Sequence, residues 1–306
     1  MYKTIIVPLD GLPFAAQAVA TAAEIGKRCG ADLILARVHE AYIYEDMDYA
    51  LTEDNSRRDE EEYLADVAEW IESRYGIVPQ RRLLSGPVVP ALCAFAGQLD
   101  EPLIVISSHG RTRLSRLWLG SIADGVTRHV VAPVLMLRHH GADEGLATPP
   151  HPFASIMMPL DGSDLSESVL PDVAALAEAF ESRLLIARVV ALVKTPAAAY
   201  AVPFAIPRGP LEETLDARVD GAQSYLNAIA ARLRSANKML DVSTSVHVAD
   251  SAAPALLDAA KEASADTIAL ATHGRGSSRL IVPSILDRIV RDGPEAILIV
   301  HAPASA

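Results

Sequence analysis

Apolar and polar positions along the chain fall into short runs that alternate between two periods. Residues 4–9 are an unbroken apolar run, as in a strand covered on both faces. Residues 14–29 are Ala-rich, with apolar positions recurring at helical spacing. The alternation continues with a strand at 32–38, a helix at 59–75, a strand at 78–84, a helix at 89–99, a strand at 103–107, a helix at 121–131 and a strand at 134–137. A second series has strands at 156–160, 183–190, 242–248, 267–271 and 296–300, with helices at 164–181, 211–236, 252–263 and 284–291 between them. Strands alternating with helices of this length predict βαβ units, right-handed crossovers and a parallel sheet, so the fold class is α/β. Such sheets bind ligands beyond the carboxyl ends of their strands, where strand order reverses. The junctions after Leu9, Val38 and Ile106 are therefore the places to search.

The two series are copies of one another. Ile5, Pro8, Leu9, Asp10, Gly11, Ala23, Leu33, Ala36, Arg37 and Val38 each meet the same residue 151 positions later. Farther on, His109-Gly110-Arg111 meets His273-Gly274-Arg275, and Ser121, Ile122, Asp124 and Arg128 meet Ser284, Ile285, Asp287 and Arg291. A repeat this long is two domains, not a solenoid. We place the first domain at residues 1–140, a linker at 141–153 and the second domain at 154–306. The linker is rich in Gly and Pro, and His139, His140 and His151 around it lack ordered metal-ligand spacing. The second copy carries extra residues in a Pro- and Ala-rich loop at 195–210. The first has instead an acidic segment at 40–62, expected as a solvated loop and helix face.

Composition narrows the function. Half of the 306 residues are apolar and 22% are charged, a globular balance. With 27 Lys and Arg against 39 Asp and Glu, the formal net charge is −12, which argues against nucleic acid and anionic membranes as partners. Cys29 and Cys93 lie in no C-x-x-C pattern, and two thiols make no disulfide framework, so a reducing compartment is expected. The first residues lack a signal-peptide core. No stretch reaches the roughly 18–20 apolar residues of a membrane span. The expected location is the cytoplasm.

The junction after the fourth strand carries the most chemistry. It runs from Ser107 through Gly110 and Arg111 to Gly120-Ser121, where the next helix opens. A helix N-terminus has unpaired N–H groups and a partial positive charge. Gly lets those amides approach an oxygen closely, Ser121 adds a hydroxyl, and Arg111, Arg113 and Arg116 add local positive charge. The residues alone fit either a phosphate cradle or a plain loop with a helix cap.

This junction resembles the universal stress protein family, here in a tandem two-domain form. The family's pattern is G-x2-G-x9-G-[ST], and this chain has Ser107-x2-Gly110-x9-Gly120-Ser121, with Ser in place of the first Gly. The first-strand ending Pro8-Leu9-Asp10-Gly11 is similar to the family's P-x-D-[GF]. The resemblance implies two Rossmann-like, doubly wound, five-stranded parallel sheets of strand order 3-2-1-4-5, and ATP as ligand. It places Asp10 at the ribose and adenine with Pro8 and Leu9 beside it, and the Val38 backbone at adenine. Ser107, Gly110, Arg111, Gly120, Ser121 and Ile122 would line the phosphates, which often carry Mg²⁺ or Mn²⁺ in this family. It further implies that the fifth strands, 134–137 and 297–300, pair across the domains as an intramolecular pseudo-dimer, with a homodimer of chains as a further expectation.

The second copy departs from the pattern. Asp161 and Val189 remain, and Ala271, Gly274 and Ser284 occupy phosphate positions, but Pro283 stands where Gly120 does. Proline has no N–H to donate yet sits comfortably at a helix start. The second site is therefore expected to bind weakly or not at all. No G-x4-G-K-[ST] string occurs, and Gly11 alone follows the first strand where a dehydrogenase needs three glycines. No sequence neighbour of His109 points to a nucleophile system and Asp10 has no second carboxylate, so no catalytic residue is assigned. Two function classes stand: an ATP-binding stress regulator, compatible with slow hydrolysis, and a nucleotide-free interaction or scaffold protein of the same fold.

Overall fold

The computed structural model describes residues 2–11, 15–40, 49–107, 120–138, 152–192, 214–272 and 285–301. The first half runs β1 (Thr4–Pro8), α1 (Ala15–Cys29), β2 (Asp32–His39), α2 (Tyr49–Tyr75), β3 (Gln80–Ser85), α3 (Val88–Ala96), β4 (Pro102–Ser107), α4 (Ser121–His129) and β5 (Val134–Leu137). The second runs β6 (Ser155–Pro159), α5 (Asp164–Glu167), α6 (Leu170–Phe180), β7 (Arg183–Ala191), α7 (Leu215–Ala236), β8 (Asp241–Ala249), α8 (Ala252–Glu262), β9 (Thr267–Thr272), α9 (Ile285–Asp292) and β10 (Ala296–His301).

These strands form one sheet in the order β3-β2-β1-β4-β5-β10-β9-β6-β7-β8. Each half thus has the 3-2-1-4-5 order and is parallel within itself. The halves meet at an antiparallel seam between β5 and β10, with Leu135 opposite Leu298. Both leucines are fully buried, each contributing about 2 kcal/mol by leaving water. On one face a single core crosses the seam, with Ile5, Leu35 and Leu64 of the first lobe continuous with Ile156, Ile186 and Leu226 of the second. On the other face there are two cores: Ile6, Ile104, Ala123 and Val126 in the first lobe, and Met157, Leu256, Ile268 and Ile289 in the second, the latter joined by Met136 of β5 from across the seam. Burial on both faces is why the central strands carry no alternation.

Two helices differ from the sequence expectation. The α2 helix begins at Tyr49, so part of the acidic segment is helical. Residues 49–62 contain neither Pro nor Gly, and nothing interrupts a helix whose packed face starts at Tyr63 and recurs at Leu64, Val67, Ala68 and Ile71. The helix expected at 164–181 is broken into α5 and α6. Pro171 is the cause: it lacks an N–H, and its ring would meet the carbonyl of Glu167, the last residue of α5. The linker centre, the loop at 195–210 and residues 108–119 lie outside the described residues.

Candidate functional site

In the first lobe, β1 lies between β2 and β4, so the carboxyl ends of all three meet at one edge. Pro8 pairs with Ala36, and the Leu9 N–H donates to the Ala36 carbonyl at 2.8 Å, which fixes the exit of β1 against β2. Leu9 is buried and Asp10, next along, is exposed. Gly11 then turns with φ +82°, a left-handed conformation that suits glycine. A Cβ there would also sit 2.9 Å from Arg37 Nη1. Val38 follows Arg37 on β2 and is half-buried, as is Ser107 at the end of β4.

Gly120 is the N-cap of α4 and contributes no side-chain cap. The first helical bond runs from the Asp124 N–H to the Gly120 carbonyl at 2.9 Å. The N–H groups of Ser121, Ile122 and Ala123 precede it, at the positive end of the helix. Ser121 and Ile122 are exposed. Gly110 and Arg111 lie outside the described residues, so the edge brings together Asp10, Val38 and Ser107 by strand order and Gly120–Ile122 by the helix that follows β4.

Behind this edge is a charged cluster the sequence reading did not single out. Arg37 Nε is 3.2 Å from Glu60 Oε1, and the other oxygen of Glu60 lies 2.8 Å from Nδ1 of the buried His39. The Arg37 guanidinium lies over the Tyr63 ring, 5.6 Å from its centre. Burial pushes the Tyr63 hydroxyl pKa up, and the negative charge of Asp10 adds to it. The signal was present in the repeat: Arg37 and Tyr63 recur as Arg188 and Tyr225, with the guanidinium of Arg188 5.1 Å from the Tyr225 ring centre.

The second lobe repeats the backbone. The Leu160 N–H donates to the Ala187 carbonyl at 2.8 Å, and Gly162 turns with φ +89°. Its aspartate is bonded within its own turn. Asp161 Oδ1 accepts from the Ser163 N–H at 2.9 Å and from the Ser163 hydroxyl at 2.6 Å. Partial burial opposes the charge, but the donors of Ser163 and Ser166 outweigh it and hold the Asp161 carboxyl below its ordinary value. Glu167 accepts from the Tyr225 hydroxyl at 2.9 Å and from Arg232 at 2.8 Å. Val189 and Ala271 are half-buried at the matching edge, while Gly274 and Ser284 lie outside the described residues.

Among the described residues no three His, Cys, Asp or Glu side chains gather as a metal site, and no helix is long and apolar enough to cross a membrane. Cys29 and Cys93 are half-buried thiols whose pKa values burial pushes up, which makes them poor nucleophiles.

Comparison with known proteins agrees with this architecture. The model of the universal stress protein family matches residues 1–138 and 152–301. Universal stress protein MJ0531 of Methanocaldococcus jannaschii is 26% identical over 142 residues, 45% of this chain and 83% of that protein. The crystal structure of a universal stress protein from Archaeoglobus fulgidus DSM 4304 matches 98% of this chain and 99% of its own, with TM-score 0.69 and 18% identity. A functionally unknown protein, PA1789 from Pseudomonas aeruginosa PAO1, matches 98% of this chain and 92% of its own, with TM-score 0.58 and 14% identity. Two matched segments, each bearing the same doubly wound sheet, account for nearly the whole sequence: this chain belongs to the universal stress protein family and carries the family's domain twice in tandem.

Proposed function

We propose that this protein is a nucleotide-responsive stress regulator that binds ATP in its first lobe. The observation that carries this reading is the opening of α4: an exposed helix N-terminus without a side-chain cap, at the edge where β1 and β4 end. Ser121, Ile122 and the Gly120 turn would grip the phosphates together with Ser107, Gly110 and Arg111. Asp10 would take the ribose hydroxyls and the Val38 backbone the adenine, with Pro8 and Leu9 holding Asp10 in place. A Mg²⁺ or Mn²⁺ ion would ride on the phosphate oxygens, and slow hydrolysis would accompany binding rather than define the protein. Cytoplasmic location, an acidic surface ill-suited to nucleic acid, and assembly of chains as homodimers complete the proposal, with domains at 1–140 and 154–306.

The second lobe favours the nucleotide-free reading. Ser163 already occupies the Asp161 carboxylate, and Pro283 removes an amide at the helix start. The weaker site would use Asp161, Val189, Ala271, Gly274 and Ser284.

Calorimetric titration with Mg-ATP tests both. One site per chain supports the reading, two sites overturn the asymmetry, and flat heats at millimolar ATP overturn nucleotide binding. Heating the purified protein and measuring released adenine absorbance checks for ligand carried through purification.

A further inference from the structure

Across the seam the two lobes hold each other's helices by the same device. His301 ends β10, and its ring reaches into the first lobe. Nε2 lies 2.6 Å from the carbonyl of Thr127, in the last turn of α4, and Nδ1 lies 3.0 Å from the carbonyl of Ala132, just before β5. Both partners are acceptors, so the ring serves as donor: either neutral tautomer satisfies one carbonyl, and the imidazolium satisfies both. His301 is 8% exposed. The residue in the matching place after β5 is Arg138, whose guanidinium donates to the carbonyls of Arg291 and Gly293 at the end of α9. Arg128 of α4 also reaches Asp287 of α9 at 3.5 Å.

The helix held by His301 is the one whose other end faces the phosphate site. It has nine residues, so its ends are about 13 Å apart. A rod this short moves as one body, and its N-terminal amides grip phosphate only when aimed correctly. We propose that the second lobe, through His301, positions α4 of the first lobe and so sets its affinity for the phosphates. This rests on the nucleotide reading above. His301 is a positioning residue, acting through the helix without touching the ligand. The coupling is reciprocal, so a bound polyphosphate tightens the clasp in turn.

The test compares ATP with adenosine, by calorimetry or competition, on the full chain. Exchange of His301→Ala should weaken ATP about tenfold and leave adenosine unchanged, because only the phosphates depend on α4. His301→Gln keeps one donor and should fall between. It also carries the test if the alanine variant does not fold. Arg138→Gln loosens the same seam but releases α9 rather than α4, so ATP affinity in the first lobe should stay at the wild-type value. Hydrogen exchange should rise in α4 for the His301 variants and in α9 for the Arg138 variant. Equal loss of ATP and adenosine, or no loss, overturns the positioning role while leaving the nucleotide reading intact. A wild-type chain that gives flat heats removes the nucleotide reading and the coupling together.

Discussion

In the first lobe the chain leaves its first strand through Leu9, Asp10 and Gly11 and goes on to Leu12. In the second it leaves through Leu160, Asp161 and Gly162 and goes on to Ser163. The backbone is the same at both exits, down to the left-handed glycine packed against an arginine of the neighbouring strand. The side chain that follows is different. Ser163 donates to Asp161 and caps α5 by accepting from the Ser166 N–H at 3.1 Å. Leu12 has no hydroxyl to offer Asp10. The strands behind the exits diverge too: in the first lobe Glu60 is shared by Arg37 and His39, and the corresponding places in the second hold Ala222, Arg188 and Val190. The duplicated frame is kept where it turns the chain and altered where charge is placed.

The largest expected effect comes from making the first lobe resemble the second at that buried cluster. Glu60→Ala copies Ala222 but strands Arg37, whose side chain is only 20% exposed, and removes one partner of His39. Breaking a pair this buried costs about 3 kcal/mol, because the remaining charge has lost its compensation. Urea unfolding should reveal that loss. A change below about 1 kcal/mol would mean that Tyr63 alone sustains Arg37, as Tyr225 is the aromatic neighbour of Arg188 in the other lobe.

The next contrast is Gly120 against Pro283. Gly120 has φ −58° and ψ 143°, a conformation open to any residue, and aspartate is a favoured N-cap. Gly120→Asp should therefore fold with an unchanged or higher melting temperature while its carboxylate repels phosphate. ATP affinity should fall at least about tenfold. Gly274→Asp in the second copy should leave the stoichiometry and affinity as they are. Loss of binding in the second variant alone would exchange the roles of the lobes.

How much of this was legible in the sequence depends on the range of the interactions. The central strands stood out because burial on both faces leaves an unbroken apolar run, as at Ile5, Ile6 and Val7. The edge that gathers Asp10, Val38, Ser107 and Gly120 followed from strand–helix alternation and the rule for parallel sheets. The 3-2-1-4-5 order and the pairing of β5 with β10 came from the family resemblance, since a four-residue apolar strand does not say what it pairs with; its antiparallel sense is seen only in the structure. The break before α6 was written in Pro171, but the strong apolar periodicity on either side concealed it. The Arg37–Glu60–Tyr63 cluster joins residues 23 and 26 positions apart, and the His301 contacts join residues 169 and 174 apart. No local spacing encodes such partners, and they emerge only once the sheet has closed.

A smaller effect isolates the exit turn of the second lobe. Ser163→Ala removes the cap on Ser166 and the hydroxyl donor to Asp161. The backbone donor stays in place chemically but loses its anchored turn, and a lost N-cap of this kind costs about 1 kcal/mol. The sign with pH follows from the depressed Asp161 value. Its stabilisation is present above the ordinary Asp pKa of about 4 and is lost as pH falls through the folded value, so the difference between wild type and variant should narrow in acid. A gap that stays constant down to pH 2 would assign the whole effect to the helix cap.

Asp172 is the opposite case, and its effect is the smallest. It sits on α6 beside Tyr2 of the first lobe, at a cavity of about 440 Å³ also lined by Pro102, Val131 and Pro171. Burial raises its carboxyl pKa, and the Tyr2 hydroxyl only partly offsets this. For a raised acid the stabilising contribution is complete below about pH 4 and is lost as pH climbs through the folded value, so at neutral pH the ionised form works against the folded state. Asp172→Asn keeps the shape of the side chain while removing the charge. Calorimetry should give a melting temperature about 2 °C higher than wild type at pH 7 and the same as wild type at pH 3. An equal gain at both values would place the benefit in packing against the cavity. A loss at pH 7 would mean that the carboxylate is stabilised at the lobe boundary, which would make Asp172 a counterpart of Asp161 rather than its contrast.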